Sequence, residues 1–248
     1  MKAKDRLLLM PGFIQVILKE AGDIGDRRGF GVFAVGGFVR DLMLNKKSLD
    51  IDIAVQGDGI GLAGELAYRL GASLAVFKCF GTAVLEAKTR NSIASSEPLP
   101  VRIDIATARR EYYKTAACYP EVRPAGIRAD LKRRDFTINA MALVLNKRRF
   151  AEKIDYFAGT DDLEKGIIRV LHDKSFIDDP TRIFRAIRFE QRYGFNIDNH
   201  TLRLMKEAVR DGMICRLNKR RIEKELALFQ REGRHSEMAA RLEQITGE

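Results

Sequence analysis

Short apolar and β-branched runs alternate with helix-like segments through the first half of the chain. Val32 to Val35 reads as a strand, Gly36-Gly37 as a tight turn, and Phe38 to Leu44 as the opening of a short helix. From Leu49 to Val55 apolar and polar positions alternate, which puts Ile51, Ile53 and Val55 on one face and Asp50, Asp52 and Ala54 on the other. The apolar face packs, so the acids look elsewhere. The pattern next predicts a helix over Ile60 to Leu70 and a strand pair over Ser73 to Phe77 and Thr82 to Glu86, with Gly81 near the turn. Thr89 to Pro100, polar and without period, reads as a loop. Val101 to Ile105 then repeats the acidic strand, with Arg102, Asp104 and Ala106 opposite Val101, Ile103 and Ile105.

From about Asp130 the spacing of Phe136, Asn139, Ala140 and Leu143 is helical, and Asp135, after the basic run Lys132-Arg133-Arg134, suits an N-cap. Phe150 to Tyr156 suggests one more strand. Beyond Gly166 helices are predicted near Pro180 to Tyr193, His200 to Arg210, Lys219 to Gln230 and Ser236 to Ile245. No internal repeat interrupts this order. The expected architecture is a mixed α/β domain over 1–166 followed by an all-helical domain over 167–248.

Composition narrows the partner class. The 248 residues carry 44 Lys+Arg against 34 Asp+Glu, a formal net charge of +10. Such an excess concentrates phosphates and favours a polyanion such as RNA. With 46% hydrophobic and 31% charged residues the chain is expected to fold rather than stay disordered. No apolar run approaches the roughly 18 residues of a membrane span, and the start MKAKDRLLLMPGF lacks a cleavable leader pattern, so no membrane partner and a cytoplasmic location are expected. Cys79, Cys118 and Cys215 are odd in number and widely spaced, which argues against a disulfide framework or a zinc site. His172-Asp173 has no further histidine cluster to make a metal centre.

The densest chemical signal is Gly36-Gly37-Phe38-Val39-Arg40-Asp41 followed by Asp50-Ile51-Asp52. A glycine pair lets backbone N–H groups approach a phosphate, a helix start adds its positive end, and Arg40 can reach the same anion. Two carboxylates two residues apart on a strand point one way and can share a Mg²⁺ ion, the remaining positions being filled by substrate phosphates. Asp104 is the natural third acid. Taken singly, each feature could equally be a plain turn or a solvated strand edge; their order along the chain makes the chemical reading. Asp179, Arg182, Arg185 and Arg188 fall near one side of a helix, which a salt-bridged surface face would also explain. Pro180 after Asp179 suits a first helical turn with Asp179 as N-cap, in competition with any ligand role.

These residues resemble the class II tRNA nucleotidyltransferases and bacterial poly(A) polymerases, within the nucleotidyltransferase superfamily related to polymerase β. GGxVRD with DxD looks like that family's first motif, and Arg133 through Met141 looks like its RRDFTxNA motif. Asp155 through Arg169 resembles its head-to-neck connector, and Asp178 through Phe189 its nucleotide-selecting motif. The one departure is Asp178, where the family usually has Glu, and it bears on the shape of the base pocket. The resemblance implies an α+β polymerase β-like head with a mixed sheet, followed by an all-helical neck. It further implies Asp50 and Asp52 as ligands of a two-metal Mg²⁺ site, with Asp104 completing the set or accepting the proton. Gly36, Gly37 and Arg40 would hold the triphosphate, and Arg134 would touch the nucleotide. Asp179 and Arg182 would read the base edge, with Arg185 and Arg188 supporting the pocket. Arg109 and Glu111 resemble a post-strand signature that orders a loop; a surface ion pair is the equal alternative.

The implied activity is template-independent transfer of AMP from ATP, and of CMP if CTP is also used, to an RNA 3′ end, foremost the tRNA CCA end. Poly(A) addition to general RNA and a catalytically silent RNA-binding module are the alternatives. Contacts to RNA phosphates are expected from Lys132, Arg133, Arg203, Lys219, Arg220 and Arg221. Family members continue past the neck with helical domains that hold RNA, whereas this chain stops at Glu248. It is therefore expected to be either a shortened form or a naturally short protein.

Overall fold

The computed structural model describes residues 3–46, 48–88, 100–233 and 235–247. The chain divides into two compact units, one formed by Met1–Arg110, Val122–Arg133 and Asn139–Tyr156, the other by Glu111–Glu121, Arg134–Ile138 and Phe157–Glu248.

The first unit opens with helices α1 (Ala3–Leu8) and α2 (Gly12–Arg28), the latter burying Ile14, Ile17, Leu18, Ala21 and Ile24. Strand β1 (Gly31–Val35) runs into α3 (Gly36–Met43), and β2 (Asp50–Gln56) into α4 (Gly59–Leu70). Asp58 caps α4 by accepting from the Gly61 N–H at 2.9 Å. Strands β3 (Ser73–Phe77), β4 (Thr82–Lys88) and β5 (Pro100–Thr107) follow. The predicted loop from Thr89 lies, up to residue 99, outside the described residues. β6 (Arg109–Tyr112) and β7 (Glu121–Pro124) make a two-stranded sheet, and α5 (Ile127–Lys132) leads to β8 (Met141–Val144) and β9 (Lys153–Asp155).

Seven strands form one mixed sheet in the order β3-β4-β5-β2-β1-β8-β9. β2 and β5 run parallel, and their neighbours pair antiparallel. The alternation predicted for β2 and β5 appears as burial of Ile51, Ile53, Val55, Val101, Ile103 and Ile105. The helix expected through Leu143 is instead β8. Met141, Ala142, Leu143 and Val144 are all buried, a continuous apolar run that a strand covered on both faces requires, and the 3.6-like spacing of Phe136, Asn139 and Ala140 is coincidental. Its backbone bonds go to β1 (Ala34 opposite Leu143) and β9. Asp135 consequently caps no α-helix: it precedes a single 3₁₀ turn, Thr137–Asn139.

The second unit contains α6 (Gly159–Lys165), α7 (Ser175–Asp178), α8 (Thr181–Tyr193), α9 (Asn199–Arg210), α10 (Lys219–Arg231) and α11 (His235–Thr246). The helices predicted after Gly166 are present to within a residue or two, but the region is not purely helical. β10 (Ile167–Ile168) and β11 (Asn196–Ile197) pair in parallel, because Gly194 (φ +67°) ends α8 and turns the chain back toward Ile167. Ile183, Phe184, Ile187 and Phe189 of α8 form the centre of this core, with Phe189 edge-on to Phe136 at 5.8 Å between ring centroids.

Candidate active site

In the first unit the turn from β1 into α3 brings glycine backbone up to the acidic strand. Gly36 has φ +68°, a left-handed conformation open to glycine at little cost, and it lets the chain reverse directly from strand to helix. Val35, at the N-cap, offers no side-chain bond to the first N–H groups of α3. A β-carbon on Gly37 would lie 3.5 Å from Arg40 Nη2 and 3.9 Å from Asp52 Oδ2, so the turn passes close beside the Asp52 carboxylate. Asp50 is exposed and Asp52 half-buried on the same face of β2.

Arg40 stands under this turn. Only 5% exposed, it donates from Nε to Asp41 Oδ1 (2.9 Å) and from Nη1 to Asn139 Oδ1 (2.7 Å). The GGFVRD segment is thus tied to the RRDFTINA segment 99 residues later. Asp104 sits opposite Asp52 in the β2–β5 register, yet its carboxylate is engaged by Arg102, with Nε to Oδ2 at 2.8 Å and Nη2 to Oδ1 at 3.0 Å. The same contact holds the Arg102 guanidinium above its ordinary pKa. Among the described residues no group of three or more His, Cys, Asp or Glu side chains converges to hold a metal. Asp50 and Asp52, two oxygen donors on one strand face, nevertheless suit Mg²⁺, which keeps water and substrate ligands.

In the second unit Asp179 links α7 to α8. Its Oδ1 accepts from the Thr181 N–H (3.0 Å), the Thr181 hydroxyl (2.6 Å) and Arg221 Nη2 (2.6 Å), so it does cap the start of α8, from one residue before Pro180. Arg182 is 5% exposed and donates to Ser175 Oγ at 2.7 Å. Arg185 Nε donates to Asp135 Oδ2 at 2.8 Å, and Arg188 Nη1 to Glu232 Oε1 at 3.2 Å; both guanidiniums also lie over the Phe189 ring. Glu225, on α10, is buried with Oε2 lacking a hydrogen-bond partner, and burial pushes its carboxyl up against the pull of Arg185 and Arg188. Burial and the neighbouring Arg185 push Arg188 down. Asp178, half-buried, is raised by burial, with Arg182 opposing. Arg134 is half-buried in this unit.

The residues expected at RNA divide sharply. Lys132, Arg203, Lys219 and Arg220 are exposed. Arg133 instead turns onto the fully buried Asp130, Nη2 to Oδ1 at 2.8 Å, and that same oxygen accepts the Arg109 N–H. Arg221 turns inward to Asp179, to the Ala117 carbonyl (2.8 Å) and over the Tyr119 ring. Arg109 Nη1 donates to the Phe80 carbonyl (2.7 Å), while Glu111 accepts the Tyr113 hydroxyl (2.9 Å). His200 joins Asp173 at 2.9 Å as a surface pair. Asn139 was named in sequence only as part of the RRDFTxNA motif and of a helical spacing, with no role, and Ser175, Glu225 and Glu232 were given no role; of these three only Glu225, one helical turn after Arg221, carried a periodicity that could have marked it.

Among the described residues no helix is long and apolar enough to cross a membrane. The chain is 46% identical over 216 residues to the A-adding tRNA nucleotidyltransferase of Geobacter sulfurreducens, covering 87% of this chain and 23% of that protein. It is 43% identical over 206 residues to the A-adding tRNA nucleotidyltransferase of Aquifex aeolicus, covering 83% of this chain and 24% of that one. A solved CCA-adding enzyme in an apo form superposes with a TM-score of 0.88 at 41% identity, over 99% of this chain and 56% of the other. The chain therefore spans about a quarter of the length of the two curated relatives and about half of that enzyme. Residues 32–169 match the poly A polymerase head domain, and with more than half of its length inside that match the chain belongs to the poly A polymerase head domain family.

Proposed function

We propose that this chain carries the catalytic head, 1–166, and the helical neck, 167–248, of a cytoplasmic tRNA nucleotidyltransferase that adds AMP from ATP to the 3′ hydroxyl of tRNA and releases pyrophosphate. The observation that carries the reading is the approach of the Gly37 backbone to Asp52 beside an exposed Asp50. That arrangement offers N–H donors for phosphate and two carboxylates for Mg²⁺ within one small region. The kinship with A-adding enzymes supports the choice of nucleotide.

Asp50 and Asp52 would hold Mg²⁺. Held there, with a second ion in a two-metal site, Mg²⁺ would supply Lewis acidity for the attacking 3′ oxygen and the leaving pyrophosphate. Gly36 and Gly37 present backbone to the triphosphate. Arg40, buried and tied to Asp41 and Asn139, braces that turn from beneath. On the neck, Asp179 and Arg182 offer an acceptor and a donor to the base edge, Arg185 and Arg188 support them, and Arg134 meets the nucleotide. Lys132, Arg203, Lys219 and Arg220 stand exposed, where RNA phosphates could meet them.

Complete CCA addition is the second reading, favoured by the likeness to the CCA-adding enzyme. Incubation with tRNA ending in CC, tRNA lacking CCA and an unstructured RNA, each with ATP or CTP alone, followed by 3′-end sequencing, decides between them. A single A added to CC-ended tRNA is the expected product. C addition to tRNA lacking CCA would favour the second reading, and long A tracts on unstructured RNA would replace both with poly(A) synthesis.

A further inference from the structure

The acid face carries a basic residue with no role in the reading above. Parallel pairing of β2 and β5 sets Asp50 opposite Arg102 and Asp52 opposite Asp104, and side chains of register partners share a face. Glu86 of β4 is the antiparallel partner of Arg102, so acids border Arg102 on both neighbouring strands. Asp52 and Asp104 stand directly opposite one another, an arrangement that like-charge repulsion disfavours. The guanidinium fork of Arg102 folds along its own strand instead and takes both oxygens of Asp104, at 2.8 and 3.0 Å. A bidentate contact of this kind fixes the carboxylate as well as neutralising it.

Resting on the assignment of Asp50 and Asp52 as the metal pair, we propose that Arg102 is a positioning residue that withholds Asp104 from that pair. Asp104 is then the held-back acid of the site. Replacing Arg102 removes a positive charge from beside Asp50 and frees Asp104 at once, and both changes act in the same direction on a bound cation.

The test is calorimetric titration of the full chain with Mn²⁺, without nucleotide, at low and high salt. Arg102→Gln should bind Mn²⁺ about five-fold more tightly at low salt, with the gain shrinking as salt screens the exposed charges. Asp104→Asn, which releases the Arg102 fork beside Asp50, should bind more weakly by a similar factor, and the double variant should return toward wild type. Asp50→Asn should lose binding. If Asp50→Asn loses Mn²⁺ while Arg102→Gln binds as wild type does, the role of Arg102 is overturned and the metal pair stands. If Asp50→Asn binds normally, the metal pair itself is overturned. Loss in Asp104→Asn as complete as in Asp50→Asn would make Asp104 a resting ligand and also overturn the proposal. Should Arg102→Gln fail to fold, Arg102→Lys keeps the charge and loses the fork; tighter Mn²⁺ binding supports the proposal and unchanged binding overturns it.

Discussion

On β2 and β5 the charged side chains stand on the sheet face opposite the packed apolar one and stay in contact with solvent: Asp50 is exposed, and the side chains of Arg102 and Asp104 are 53% and 37% accessible. On α8 the row of arginines that begins at Arg182 is drawn inward. Arg182 and Arg188 are 5% and 6% exposed, and every arginine of the row leans on a named group: Ser175, Asp135 or Glu232. An exposed acid strand contributes little to packing and can wait for an ion, whereas a buried arginine must be satisfied in the fold itself or it costs several kcal/mol. The first region should thus lose chemistry without losing stability when it is cut, and the second should lose both.

The sharpest break is at the acids. Asp50→Ala and Asp52→Ala should each lower nucleotide transfer by more than about 10³-fold, with circular dichroism and urea midpoint near wild type. Near-normal transfer by either folded variant would remove the acids from the chemistry. Asp135→Asn weakens an inward pair, and because Arg185 is left short of its counter-charge, urea unfolding should report a loss of about 2–4 kcal/mol. A change within error would mean that Arg185 is served well enough by solvent, and the contrast between the two regions would weaken.

Arg182→Ala should shift the ratio of ATP to GTP incorporation by about 1–3 kcal/mol in transition-state terms, with little change for phosphate binding. An unchanged ratio with a uniformly higher KM would assign Arg182 to phosphate. The smallest effects should come from the glycine turn, where the two positions part company. Gly36→Ala forces a left-handed alanine and should cost about 1 kcal/mol of stability. Gly37→Ala meets nothing closer than 3.5 Å, so the fold should hold while KM for ATP rises. Equal effects from both would mean that the turn serves only the backbone.

Much of this contrast was legible in advance, for uneven reasons. Strict alternation marked β2 and β5 because one face of each is packed, and the helices after Gly166 announced themselves through long, one-sided apolar spacing. β8 was misread as helix because a strand buried on both faces has no alternation to display. The N-terminal helices α1 and α2 went unpredicted, although α2 buries an evident apolar stripe. At the site, residue types and order pointed to the acids and glycines, but partner choice stayed hidden. That Arg133 and Arg221 turn inward to Asp130 and Asp179, rather than outward to a ligand, depends on which chain segments the fold brings together.

The strand order has a bearing on how the protein comes to fold. β2 pairs in parallel with β5 across the α4, β3 and β4 segment, and β1 pairs with β8 more than a hundred residues away, as Ala34 lies opposite Leu143. Closing such long loops is entropically slow compared with winding α8 or α10, whose contacts are local. The bond from Arg40 to Asn139 and the opposition of Asp52 to Asp104 exist only once those distant strands have met. A nascent chain therefore has neither the brace under the glycine turn nor the facing of Asp52 and Asp104 until most of the sheet is assembled.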